Sequence, residues 1–274
     1  MRTGPADPPP VSVVNAFGLT DVPRRLPGGE AWRVADLVLK RLGTDSAAWL
    51  DWEERVLFSV SDDEFRLQRP RRTLGGALTV DGWFARDHLP GAHRSGRWPE
   101  IIAAADALHA AFAELPESLT RPPPSRTDPW AVADRIAWDL EPMPPGVCAR
   151  DRGLRELLDA RRPVASPSQL VHGDLTGNVL FADHLSPAII DFSPYWRPPA
   201  YAIGVIVADA VVWEEADVRL LELVADRAEM GQCLLRALIF RHVTALLLPG
   251  ALPTGDPATR YASLRRSAIR LSER

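Results

Sequence analysis

The 274-residue chain holds two cysteines, one lysine and two asparagines, and each scarcity narrows what it can be. Cys148 and Cys233 are too few for a disulfide framework or a cysteine metal cluster, so a reducing, cytoplasmic setting is expected. No run of about 18 apolar residues occurs, so no membrane span is expected. The opening MRTGPADPPP has neither the apolar core nor the cleavage pattern of a secretory signal, and its four prolines suggest a flexible tail over residues 1–10. A formal net charge of -4 leaves no basic surplus for a nucleic-acid partner. The patterns GxxxxGK[ST], GxGxxG, GxSxG and HExxH are all missing, which argues against P-loop, dinucleotide-binding, α/β-hydrolase and zinc-peptidase chemistry. No internal repeat or low-complexity run appears.

What is present is an ordinary globular composition, 46% hydrophobic and 25% charged, long enough for one large or two small domains. The informative stretch is QLVHGDLTGNVLFADHLSPAIIDFSPYW, from Gln169 to Trp196. Apolar runs at 178–182 and 188–192 flank a turn of Asp183, His184, Ser186 and Pro187, which predicts a β-hairpin. A polar loop enters the hairpin and Asp191-Phe192 leaves it. Asp174, Asn178 and Asp191 are thereby expected to converge. Two carboxylates and an amide suit phosphoryl transfer from a nucleotide: one group positions an acceptor hydroxyl, and two hold Mg²⁺ through oxygen. The bland alternative is a hairpin whose Asp side chains merely cap turns.

HGD followed by Asn178 and by IIDF resembles the catalytic and metal-binding loops of the aminoglycoside phosphotransferase-like kinases, small-molecule relatives of the protein kinases. Here three residues, Leu175, Thr176 and Gly177, separate the Asp from the Asn, one fewer than most of that family has. The chain looks most like a high-GC bacterial branch with the shortened HGDLTGN loop. The resemblance implies an α+β, two-lobed protein-kinase-like fold, with a small β-rich N-terminal lobe over 11–85 and a larger helical C-terminal lobe over 86–274. It implies ATP (or GTP) and Mg²⁺ as cofactors and a small-molecule hydroxyl as acceptor. Asp174 would orient and deprotonate that hydroxyl, His172 would brace the loop, and Asn178 and Asp191 would hold the metal. Lys40 closes an apolar strand, Leu37-Val38-Leu39, and would reach the nucleotide phosphates. An arginine-biased chain thus keeps its single lysine, and one of its two asparagines, where this chemistry wants them.

In the helix predicted from Ser46 to Leu57, Trp49, Trp52, Val56 and Leu57 mark the apolar face. Glu53 lies on that face and is the expected partner of Lys40, with Glu54 in reserve; the alternative is a solvated Glu53. Gly28 and Gly29 form a turn that would lie over the nucleotide, although Gly-Gly turns often only join strands. Strands are expected over 65–70, 77–80 and 83–85, followed by an inter-lobe hinge over 86–91. Helices are expected over 99–115, 129–140, 151–160, 201–213, 218–228, 230–248 and 256–272. His109 reads as a packing residue, and Asp209, alone in an apolar helix, as structural. Seven acidic residues but two arginines fall between Asp209 and Glu229: either a patch for a cationic substrate or a solvated helix face. No activation segment with an APE-like end appears, so a protein substrate is not expected. The rival reading is a catalytically silent kinase fold that binds a nucleotide or a protein.

Overall fold

The computed structural model describes residues 7–27, 30–43, 47–60, 63–123, 126–144, 151–248 and 256–273. The chain begins with α1 (Val11–Ala16) and a strand ladder of β1 (Arg24–Arg25), β2 (Ala31–Val34) and β3 (Leu37–Arg41). α2 (Ala47–Ser59) follows, then β4 (Arg66–Leu67), β5 (Pro70–Arg71), β6 (Thr79–Val80) and β7 (Trp83–Asp87). The main sheet has the order β1-β2-β3-β7-β5, with β6 also paired to β7. Side chains alternate across it. Leu37, Leu39, Trp83 and Ala85 point to one face, where Val13, Val14 and Phe17 of the α1 region close a small core. The opposite face carries the register pairs Val38–Arg86 and Lys40–Phe84. α2 is anchored over that face through Glu53, which binds Arg86.

The expected hairpin forms from β9 (Val179–Leu180) and β10 (Ala188–Ile189), paired antiparallel. β4 adds to it in parallel, opposite Ala188 and Ile189, so a strand from the first third of the chain buttresses the hairpin. β8 (Gln169–His172) pairs with β11 (Pro194–Arg197), placing the strands on either side of HGD…DFS next to each other. No strand is expected at β11 from the sequence, because Pro194 and the later prolines read as loop. Pro is tolerated as the first residue of an edge strand, and β8 supplies the ladder.

The helical part contains α3 (Trp98–Ala113), α4 (Glu117–Thr120), α5 (Pro129–Ala137), α6 (Arg152–Asp159), α7 (Pro199–Trp213), a 3₁₀ segment (Val218–Leu223), α8 (Met230–Leu247) and α9 (Asp256–Ser272). Asp128 caps α5 by accepting from the Ala131 N–H at 3.1 Å. α5 ends three residues before the predicted Leu140. Asp139 turns left-handed at φ 60°, and the Leu140 N–H bonds the Arg135 carbonyl at 2.8 Å, a Schellman ending. α8 is long and apolar enough to cross a membrane, by length and composition, but 83% of it is buried among the other helices. It serves as a core helix packed on α5, α7 and α9. Its buried Arg236 and His242 and its largely buried Arg241 all have hydrogen-bond partners.

Candidate active site

The loop from His172 to Asn178 is fixed mainly by backbone bonds. The His172 ring is fully buried; Nδ1 accepts from the Asp174 N–H at 3.2 Å, and Nε2 donates to the Ile190 carbonyl at 3.1 Å. An amide can only donate and a carbonyl only accept, so the pair of bonds fixes a neutral tautomer. Burial pushes the same way, lowering the His172 pKa below its ordinary value. His172 therefore ties the Asp174 loop to the strand leading into Asp191. His109 of α3 accepts the His172 N–H through Nε2 at 3.2 Å, and burial holds its pKa down at about 3. The residue read as packing thus also supports the loop. Gly173 lies under the Tyr195 ring, which a Cβ there would strike. Gly177, at φ 84°, lets the shortened loop turn tightly enough to bring Asn178 back onto Asp174. The Asn178 amide donates to the Asp174 carbonyl at 2.7 Å and to its carboxylate at 3.3 Å.

Asp191 sits in the left-handed region at φ 50°, which Asp tolerates better than most residues. Its N–H donates to Gln68 Oε1 at 3.1 Å, and Gln68 Nε2 donates to the Asp87 carbonyl at 2.8 Å. A buried glutamine after β4 thus links the metal-motif loop to the end of β7. The Asp191 carboxylate forms an ion pair with Lys40 of β3 through Oδ1. Residues 151 positions apart in sequence meet here.

Glu53 needs correcting. Its carboxylate is gripped by both terminal nitrogens of Arg86, with a bond of 2.9 Å from Nη2 to Oε2, and both residues are buried. The partner found for Lys40 is Asp191 instead. Arg86 lies one side-chain pair along the same sheet face, and its planar fork matches a carboxylate at two points, which an ammonium cannot do. The reserve, Glu54, binds Arg72 at 2.7 Å on the surface. Glu53→Gln should therefore lower stability by about 1–3 kcal/mol, the cost of leaving a buried charged donor poorly matched. Denaturant unfolding measures this; a variant as stable as the parent but weaker for nucleotide would instead restore the Lys40–Glu53 pairing. Gly28 and Gly29 lie outside the described residues.

Sequence reasoning missed Arg241 altogether. From α8 it reaches Asp174 Oδ1 at 2.6 Å, while its Nε donates to Asp209 Oδ1 of α7 at 2.7 Å. Burial works against its charge, but Asp209 and Asp174 outweigh that and raise its pKa above the ordinary guanidinium value. The signal was available, since a charged residue inside an apolar helix needs a partner. The acidic run after Asp209 is largely engaged in structure. Asp209 holds Arg241, Glu214 meets His93 at 2.9 Å, Asp217 caps the 3₁₀ segment, and Glu229 accepts from Ala165 and Ser166. A cavity of about 270 Å³ lies beside β11, lined by Trp49, Arg126, Tyr195, Trp196 and Arg197 among others. It includes none of the predicted site residues.

The donor set fits a hard divalent cation. Asn178 turns its amide nitrogen to Asp174, which leaves its oxygen for a metal. The Asp191 side chain, 39% exposed, has one oxygen on Lys40 and a second without a hydrogen-bond partner among the described residues. Two protein oxygens, completed by phosphate and water, are the usual Mg²⁺ arrangement at nucleotide sites. Among the described residues no group of three or more His, Cys, Asp or Glu forms a metal cluster.

The sequence matches the profile of the Phosphotransferase enzyme family over residues 25–234, more than half of the chain. The protein belongs to that family. No curated protein matches. Solved structures resemble it in fold at low identity. Aminoglycoside phosphotransferase APH(4)-Ia, a thermostable mutant in complex with AMP-PNP and hygromycin B, is 17% identical at a TM-score of 0.62, covering 95% of this chain and 97% of the other. Amicoumacin kinase hAmiN, with AMP-PNP, Ca²⁺ and Ami, is 13% identical at 0.60, covering 95% and 92%. A choline/ethanolamine kinase family protein from Mesorhizobium loti is 19% identical at 0.52, covering 96% and 92%. The fold is the two-lobed kinase-like one, and the chain is a phosphotransferase of α+β architecture.

Proposed function

We propose that this phosphotransferase moves the γ-phosphoryl group of ATP or GTP onto a hydroxyl of a small molecule. The observation that carries the proposal is the meeting of Lys40 with Asp191, beside an Asp174 loop whose Asn178 is bonded back to it. Asp174 accepts the hydroxyl proton, Lys40 binds the nucleotide phosphates, and Asn178 and Asp191 would hold Mg²⁺. A metal held there would neutralise phosphate charge. His172 acts as a brace, since both its ring nitrogens are committed to backbone groups. The bond from Asn178 to Asp174 favours an intact catalytic loop over a silent one, although the loop is one residue short. Nucleotide complexes of the structural relatives, one with Ca²⁺, support a nucleotide and divalent-metal site here too. The small molecules in those complexes, hygromycin B and Ami, support a small-molecule acceptor.

Millimolar ATP or GTP with Mg²⁺ should raise the melting temperature, because a ligand specific to the folded state stabilises it by about 2.7 kcal/mol at 100 times its Kd. Lys40→Ala should shrink that shift. A panel of hydroxyl compounds, followed by nucleotide consumption, then identifies the acceptor. No shift with either nucleotide would count against a kinase and a silent nucleotide binder alike; a shift without consumption by any acceptor would favour the silent binder.

A further inference from the structure

We propose that Arg241 is the positioning residue for the Asp174 carboxylate: α8 supplies, from 67 residues downstream, the cation that the HGDLTGN loop itself lacks. Leu175, Thr176 and Gly177 carry no charge, so nothing within the loop can balance Asp174. The Arg241 side chain is 13% exposed and its guanidinium is gripped at two points by Asp209, so its plane is fixed before it reaches Asp174. Packing alone does not explain an arginine at this position. Replacing buried ion pairs with well-packed apolar residues is often neutral or stabilising. What arginine adds is a fixed donor on one oxygen of the proposed base.

That donor divides the two oxygens. Oδ1 is taken by Arg241 at 2.6 Å, whereas among the described residues Oδ2 receives only the long 3.3 Å contact from Asn178. Oδ2 is thus the oxygen left to meet the acceptor hydroxyl. In the transfer, the acceptor O–H breaks and its proton passes to Oδ2 as the acceptor oxygen bonds the γ-phosphorus. The bond from that phosphorus to the nucleoside diphosphate oxygen breaks, and the diphosphate leaves. Arg241 does not touch the reacting atoms. It holds the carboxylate in line and offsets negative charge where two carboxylates and a phosphoryl group meet. This catalytic consequence rests on the kinase reading; the positioning of Asp174 does not.

Three variants test it, with Arg241→Met as the apolar substitute and Arg241→Lys as a milder one should the first fold poorly. Turnover is followed with the acceptor found in the panel, or with water as acceptor. Both variants should keep the parent's KM for nucleotide, and Arg241→Met should lose about 10²-fold in kcat, the scale of an angstrom of misplacement. Millimolar guanidinium should restore part of the turnover of Arg241→Ala and none of that of Arg241→Met, whose side chain fills the space. A residue that merely supports the fold would show no such rescue. Independently of activity, the Asp174 carboxyl ¹³C resonance, assigned by its loss in Asp174→Asn, should move in Arg241→Met and Arg241→Lys. An unmoved resonance overturns the positioning. Unchanged kcat, or a loss matched in KM without rescue, overturns the catalytic role. A parent that turns over no nucleotide with any acceptor overturns the kinase reading and the catalytic role with it, while the resonance still decides the contact.

Discussion

Asp174→Asn should bind Mg-nucleotide as tightly as the parent and lose turnover by about 10²- to 10⁴-fold, the usual range of a general-base contribution. The substitution keeps the size of the side chain and part of its hydrogen bonding but removes the basic carboxylate. Nucleotide affinity should survive because Lys40 and Asp191, the proposed phosphate and metal ligands, pair with each other rather than with Asp174. The shortened loop offers a specific competing arrangement, in which the missing residue pulls Asn178 off the metal and Asp174 replaces it. The bonds from the Asn178 amide to Asp174 argue against this, since they fix the amide nitrogen on Asp174 and leave the amide oxygen for the metal. Mg-nucleotide titrations of Asp174→Asn and Asn178→Ala separate the two arrangements. Weak binding by Asp174→Asn together with normal binding by Asn178→Ala would exchange the roles of the two residues.

The groups that sequence reasoning located share one property: their chemistry lies close together along the chain or is made conspicuous by rarity. His172, Asp174, Asn178 and Asp191 fall within a single hairpin and its entrance, so local pattern was enough to bring them together. Lys40 stood out because the chain has no other lysine. What stayed hidden depends on tertiary register. Glu53 was on the right face of α2, yet its partner was settled by the β3–β7 pairing, which sets Arg86 beside Val38 and leaves Lys40 opposite Phe84. No periodicity in α2 carries that information. Arg241 is further removed still, since its role emerges only when α7 and α8 pack and bring Asp209 and Asp174 to one guanidinium. Gln68 joins the Asp191 loop to the end of β7 only because β4 runs beside β10. The end of α5 was overextended for a local reason: a left-handed ending is usually marked by Gly, and here Asp139 adopts it.

Asp191→Ala should abolish the metal dependence of nucleotide binding and leave the fold intact. The carboxylate is the hard, charged oxygen ligand of the proposed site, and the amide oxygen of Asn178 alone is a weak substitute for it. The fold should survive because the ion pair with Lys40 is partly open to solvent, the two side chains being 28% and 39% exposed. Pairs of that kind contribute about 0–1 kcal/mol. Backbone strain needs its own control, since Ala at φ 50° is less comfortable than Asp. Asp191→Asn accepts that conformation and removes only the charge, so a stability loss confined to the Ala variant reports strain, and a loss of Mg²⁺ response common to both reports the ligand. Freed of its carboxylate partner, the Lys40 ammonium should still attract the phosphates, so both variants should bind metal-free nucleotide at least as well as the parent does. Calorimetric titration with nucleotide, with and without Mg²⁺, reads both effects. If Mg²⁺ strengthens nucleotide binding to Asp191→Ala as much as it does for the parent, Asp191 is not the metal ligand, and its pairing with Lys40 has another purpose.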